Sequence, residues 1–256
     1  MRDDLVYTSS TNLHEPIAKS GAGYFVKGFS LIKTKGIRRF VFIPLMVNLI
    51  LFSFAFYYLT LYINEWVVAF ENWLPDFFKW LTYIAIPVLY FTALVCFSFL
   101  FSTVANWLAA PFNGLLSEKM ERLLTGKSID DGGFMDVIKD IPRTLAREWR
   151  KLVYYLPRAI GFFIILWFIP FVGQVIWFAF VAWMMAVQYC DYPFDNHKVG
   201  FDEMRLKLAE HKGKSFSFGL TVTLFAMIPV INLVVMPVAI CGATAMWVDH
   251  LRKDYT

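Results

Sequence analysis

Two adjacent guanidinium groups behind a glycine, in Lys35-Gly36-Ile37-Arg38-Arg39-Phe40, are the residues of this chain best suited to hold an anion. They stand directly before a charge-free apolar run from Phe40 to Ile63, which puts them at a helix start on one membrane edge. Helix N-termini offer N–H groups without intrahelical acceptors, and the positive end of a dipole. Gly36 lets the backbone turn sharply or approach a ligand closely. Basic residues in this position also anchor a helix end on the cytoplasmic side. Residue type alone leaves both roles open.

Other chemically capable groups carry less. Glu118, Glu121 and Arg122 follow Ala109-Ala110-Pro111-Phe112-Asn113-Gly114. Glu118 and Arg122 are at i,i+4, the spacing of a surface ion pair, and the trio suits a solvated helix end or the charged lining of an inner pore mouth. Gly126-Lys127-Ser128 has the ending of a phosphate-binding loop, but Glu121 stands where that motif needs glycine and no buried strand precedes it, which excludes nucleotide binding. Asp191, Asp195 and His197 are possible metal ligands, yet Tyr-Pro and Asp-Asn in the same stretch predict a turn at a membrane exit, without metal. His14, His197, His211 and His250 are scattered with no nucleophile at informative spacing. No enzyme and no cofactor is expected. Cys96, Cys190 and Cys241 lie in apolar runs and read as small buried hydrophobes.

The elements that must position these groups belong in a bilayer. The chain is 58% hydrophobic and 17% charged over 256 residues, against about 45–50% and about 25% in globular proteins. Uncharged runs cover Phe40–Ile63, Trp80–Ser117, Ala159–Cys190 and Ser215–Val248, each longer than the roughly 20 residues of a spanning helix. The basic cluster precedes an apolar segment too long for a signal peptide, so 40–63 reads as a retained first span. The net charge of +4 does not point to nucleic acid, because the bases cluster beside membrane segments.

Charge fixes the expected topology. Residues 1–16 are polar and read as a flexible N-terminus. Ile17, Tyr24, Phe25, Phe29 and Ile32 recur at helical spacing among lysines, predicting an amphipathic helix on the membrane surface. Six Lys/Arg and no acid between Lys19 and Arg39 place this end in the cytoplasm. The loop 64–79 holds Glu65, Glu71 and Asp76 with Trp66 and Trp73, is followed directly by Trp80, and belongs outside; Pro87 predicts a kink beyond it. A second basic amphipathic helix is expected at the inner surface, with Ile138, Ile141, Leu145, Trp149, Leu152 and Leu156 opposite Arg143, Arg147, Arg150 and Lys151. The last two apolar runs are each interrupted at a proline, Pro170 and Pro229. Were they single spans, the basic segment 191–214 would lie outside, against the positive-inside rule. As hairpins they keep both ends cytoplasmic, with arms of about 16 residues reaching about 24 Å of a ~30 Å core.

The expected fold is therefore an all-α integral membrane protein forming one membrane domain, 1–256. It has two long transmembrane helices (40–63 and 80–112), two re-entrant, partly penetrating helical hairpins (159–190 and 215–248) and amphipathic surface helices. Hairpins that stop part-way leave an incomplete lipid-facing surface, so a homo-oligomer is expected.

Five blocks stand out together: Gly23-Tyr24-Phe25 through Gly36-Ile37-Arg38-Arg39-Phe40, Ala110-Pro111-Phe112-Asn113-Gly114-Leu115-Leu116-Ser117-Glu118, Tyr154-Tyr155-Leu156-Pro157-Arg158, Tyr189 through His197, and Ile228-Pro229 through Asp249. In combination they resemble the CysZ sulfate permease family. Members usually carry leucine where Ile37 stands. The resemblance implies sulfate import across the bacterial inner membrane for cysteine biosynthesis, and two long spans with two partly penetrating hairpins. It also implies a sulfate site at Gly36, Ile37, Arg38 and Arg39, which turns the balance there toward anion binding. The alternative function is a non-transporting anion sensor or assembly module in the membrane. The topology has a direct check: a Lys207→Cys variant should stay unlabelled by an impermeant thiol reagent in intact cells, and external labelling would contradict the hairpins.

Overall fold

The computed structural model describes residues 16–126 and 134–255, and among them every regular element is helical. His14, Lys127, Ser128 and all but the last residue of the expected flexible N-terminus lie outside the described residues. The chain divides into two compact units, Phe42–Ala109 and Met1–Val41 with Ala110–Thr256.

The first unit holds residues 42–73 of α2 (Arg38–Trp73) and 82–109 of α3 (Thr82–Thr125), joined through a 3-10 helix, Asp76–Leu81; the first residues of α2 and the last turns of α3 belong to the second unit. α2 runs ten residues past Ile63 into the segment expected to be a loop, because no helix breaker occurs before Pro75. Its 36 residues measure about 54 Å, more than the ~30 Å core requires. α3 continues through Pro87 without interruption. The two helices run antiparallel: the Phe52 ring meets Phe97 and Phe101, Phe56 meets Phe97, and Tyr90 Oη donates to Asn64 Oδ1 at 2.6 Å. Nearly all other apolar side chains of this unit face outward, as lipid-facing surfaces do.

The second unit contains α1 (Gly21–Leu31), α4 (Phe134–Phe168), α5 (Pro170–Asn196), α6 (Phe201–Glu210), α7 (Lys212–Ala226) and α8 (Pro229–Met246). A π-helical turn, Trp247–Leu251, and a 3-10 turn, Arg252–Asp254, complete it. Helix breaks fall at Ile169 and Ile228, each directly before a proline that opens the next helix, since proline disfavours helical geometry in its predecessor. α4 and α5 fold back on each other. Phe163 meets Trp177, Phe162 meets Phe180, Arg147 meets Asp191 and Arg143 meets Asp195, numbers falling on one helix as they rise on the other. The arms extend well beyond 159–190: α4 has 35 residues and α5 has 27.

Part of the basic stripe of α4 faces inward, against expectation, while Arg150 stays exposed and the side chains of Ile138 and Ile141 lie outside those described. Arg147 and Lys151 are 9% and 4% exposed, while Leu145, Trp149, Val153 and Leu156 point outward. The cause is on α5. Arg147 donates to both oxygens of Asp191 and to the Val199 carbonyl, Arg143 pairs with Asp195, and Lys151 stands between Glu148 and Asp191. The turn expected at Asp191–His197 is correspondingly displaced. α5 stays helical through Pro193 to Asn196, and the chain turns only at His197 and Lys198, where φ reaches +60°. Helical continuation puts Asp191 and Asp195 one turn apart on one face, and three bases on α4 outweigh local turn propensity.

α1 is wedged between α7 and α8. Ser20 caps it by accepting the Gly23 N–H at 3.1 Å. Tyr24, Phe25 and Leu31 are buried, so protein rather than lipid covers most of its apolar face. The Phe25 ring meets Phe225 edge-on, the Phe29 ring meets it at a tilt, and Phe25 also meets Phe218. Against α8 the contact is backbone to backbone. A Cβ on Gly28 would lie 2.2 Å from the Val238 carbonyl oxygen, and one on Gly242 would lie 2.6 Å from the Tyr24 carbonyl oxygen. Only glycine permits such contact, the small-residue packing common between membrane helices.

Asp191→Leu leaves Arg147 buried without its main partner, and should destabilise the fold by about 3–5 kcal/mol. Adding Arg147→Met should recover most of that loss, because the uncompensated charge goes with it. Thermal unfolding in detergent measures both; a single variant as stable as the parent would show that the ion pairs do not hold the hairpin.

Candidate anion site

The loop between α1 and α2 is built from its own backbone. Ile32 N–H donates to Gly28 O, Lys33 N–H to Ser30 O, Thr34 N–H to Leu31 O and Ile37 N–H to Thr34 O, all between 3.0 and 3.2 Å. Gly36 has φ +91°, which L side chains rarely adopt, and a Cβ there would meet nothing within 4 Å. The conformation, not a shortage of space, calls for glycine. Ile37 follows with its side chain 2% exposed. It joins Leu31 and Val41 in one core with Leu116 and Met120 of α3, pinning the loop from below.

Arg38 opens α2 and Arg39 follows, both exposed. Arg38 Nε donates to the Lys33 carbonyl at 2.7 Å, so one edge of its guanidinium ties the loop together. The remaining donors of a guanidinium form a planar fork matched to oxyanions. Helix geometry adds first-turn N–H groups and the positive dipole end. Ile37 plays another part in this geometry: its N–H is taken by Thr34 and its side chain is the anchor.

The second set of residues separates. Glu118 and Arg122 form their expected pair at 2.6 Å and remain partly accessible. Glu121 turns inward and is 2% exposed. Its oxygens lie 2.9 and 3.0 Å from His197 Nε2, Trp247 Nε1 donates at 3.3 Å, and Arg252 stands 3.7 Å away. This cluster ties the end of α3 to the α5–α6 connection and to the C-terminal turns.

Two polar groupings escaped the sequence reading. One is the α4–α5 ladder, whose signal was the matched i,i+4 spacing of Asp191 and Asp195 with Arg143, Arg147 and Lys151. The other joins Tyr24, Asp249, His250 and Lys214, and nothing in the local sequence marks it.

The family profile described as sulfate transporter CysZ/etoposide-induced protein 2.4 matches residues 24–237. The chain belongs to that family. The matched region contains the anion-site loop, both long helices, the α4–α5 hairpin and the proline break before α8. Relatives bear this out along nearly the whole length. The sulfate transporter CysZ of Vibrio parahaemolyticus is 56% identical over 240 residues, covering 92% of this chain and 97% of the relative. The protein of that name from Salmonella typhimurium is 51% identical over 243 residues, covering 93% and 96%. The one from Pectobacterium atrosepticum is 50% identical over 239 residues, covering 92% and 86%. The chain is a membrane protein, and four of its described helices are long and apolar enough to cross a bilayer.

Proposed function

We propose that this protein is a sulfate transporter that imports sulfate across the bacterial inner membrane for cysteine biosynthesis. The observation that carries this is the similarity, with half or more of the aligned residues identical over nine-tenths of the chain, to proteins named sulfate transporters. Gly36, Ile37, Arg38 and Arg39 form the binding loop, and Glu118 with Arg122 line an inner mouth. Sulfate is a compact dianion with acceptor oxygens on every side and no proton to give near neutral pH. Arginine forks serve it better than lysine point charges. Exposure of both arginines suits a site that must also release its ion.

The hairpins divide by length in this proposal. The arms of the first hairpin, Pro142–Phe168 on α4 and Phe171–Asn196 on α5, are 27 and 26 residues long, about 40 Å each, enough to reach through the ~30 Å core. α7 has 15 residues, about 22 Å, and penetrates only part-way. A second copy would complete the surface that α7 leaves short; light scattering in mild detergent tests this, and a strictly monomeric mass contradicts it.

Arg38→Ala and Arg39→Ala should each weaken sulfate binding by roughly 1.5–3 kcal/mol, the value of a charged hydrogen bond. Arg39→Lys should also weaken it, because charge survives and the fork does not. Gly36→Val should weaken it at constant charge, since valine resists φ near +91°. Sulfate titration of purified protein reads all four, and liposomes holding the parent protein should accumulate labelled sulfate above empty ones. Binding without uptake would make the protein a sensor.

A further inference from the structure

The polar cluster around the C-terminal π turn sits far along the chain from the anion loop, yet it holds the helix that carries that loop. Asp249 Oδ2 accepts two hydrogen bonds at 2.7 Å, one from the Ile17 N–H ahead of α1 and one from Tyr24 Oη within it. Tyr24 is fully buried, and Asp249 is 8% exposed. Tyr24 Oη also lies 3.0 Å from His250 Nε2, which receives the Lys214 ammonium at 3.1 Å. Four elements meet here: the N-terminal segment, α1, the start of α7 and the turn after α8. Wider turns of this kind occur often at functional sites, and this one presents Asp249 and His250 to α1 and α7 while Trp247 serves Glu121.

From Tyr24 to the site the connection is rigid at each step. The Tyr24 carbonyl lies against Gly242, and one turn later Gly28 lies against the Val238 carbonyl. Gly28 O then accepts the Ile32 N–H that starts the loop, and Leu31 and Ile37 fix its two ends in the core. A carboxylate accepting from a buried phenol is the strong kind of hydrogen bond, and its loss leaves a buried group unsatisfied. Displacing α1 along α8 is resisted by backbone contact at both glycines, so a shift at Tyr24 moves α1 as a unit and reaches the loop at Leu31 and Ile32.

We propose that Asp249 and Tyr24 are positioning residues for the anion loop: their hydrogen bond sets the seat of α1, and through it the placing of Arg38 and Arg39. The proposal rests on the assignment of the sulfate site to Gly36–Arg39. It gives the C-terminal turn a role in sulfate affinity that its distance along the chain would not suggest.

The test is a double-mutant cycle on full-length protein in detergent, read by sulfate titration beside thermal unfolding. Tyr24→Phe removes only the hydroxyl, and Asp249→Asn keeps shape while removing the charge. Each should weaken sulfate about fivefold, the lower end of measured couplings between sites. In an Arg38→Lys background, where the fork is already lost, Tyr24→Phe should cost less than in the parent, the non-additivity expected of coupled residues. A purely structural role would lower the unfolding temperature and leave the affinity of folded protein unchanged. That result, or full additivity in the cycle, overturns the proposal. If Arg38→Ala/Arg39→Ala binds sulfate like the parent, the site assignment itself fails and the proposal falls with it.

Discussion

Backbone must touch backbone at Gly28 and Gly242 for the anion loop to lie where it does. In a membrane protein apolar helices gain little by leaving lipid, so close van der Waals contact and interhelical hydrogen bonds fix one helix against another. α1 has only 11 residues, too short to stay helical alone in water. Its seat against α7 and α8 makes it a rigid mount. The loop that follows inherits that rigidity through the buried side chains of Leu31 and Ile37, and Gly36 then turns the chain so that α2 can start with two arginines.

A second constraint is electrostatic. Arg147, Lys151, Asp191 and Asp195 are buried on helices whose outer faces are apolar. Ion pairs of this kind seldom stabilise more than a well-filled apolar interface, because desolvation offsets most of the attraction. Their strength is discrimination: a register slip of one residue between α4 and α5 would strand several charges in a medium that cannot solvate them. The ladder therefore specifies one alignment of the hairpin. Arg147, through the Val199 carbonyl, also fixes the connection that carries His197 to Glu121.

Much of this was legible before any coordinates. Composition and uncharged runs gave the membrane class, and the bias of Lys and Arg pointed to two interrupted elements. Pro170 and Pro229 marked the helix breaks to the residue, since proline acts on the backbone itself and its effect is local. What stayed hidden depended on partners distant in sequence. The basic stripe of α4 reads as a solvated or headgroup-facing surface until α5 supplies Asp191 and Asp195. Tyr192-Pro193 reads as a turn until those two aspartates are needed on one helical face. Tyr24 looks like one more aromatic on an amphipathic helix, and only the fold brings Asp249 to it from the far end of the chain. At the anion loop the glycine and the arginines were visible, whereas the anchoring part of Ile37 was not, because burial is a property of the assembled core.

We propose that sulfate, once held by Arg38 and Arg39, passes the same loop on its way through the membrane. Uptake of labelled sulfate into liposomes, parent beside Arg38→Ala/Arg39→Ala at equal reconstituted protein, tests it most directly. The double variant, though folded and monodisperse, should take up sulfate no faster than protein-free liposomes. Uptake at the parent rate with binding abolished would contradict it, and would confine the two arginines to a control site off the path of the ion.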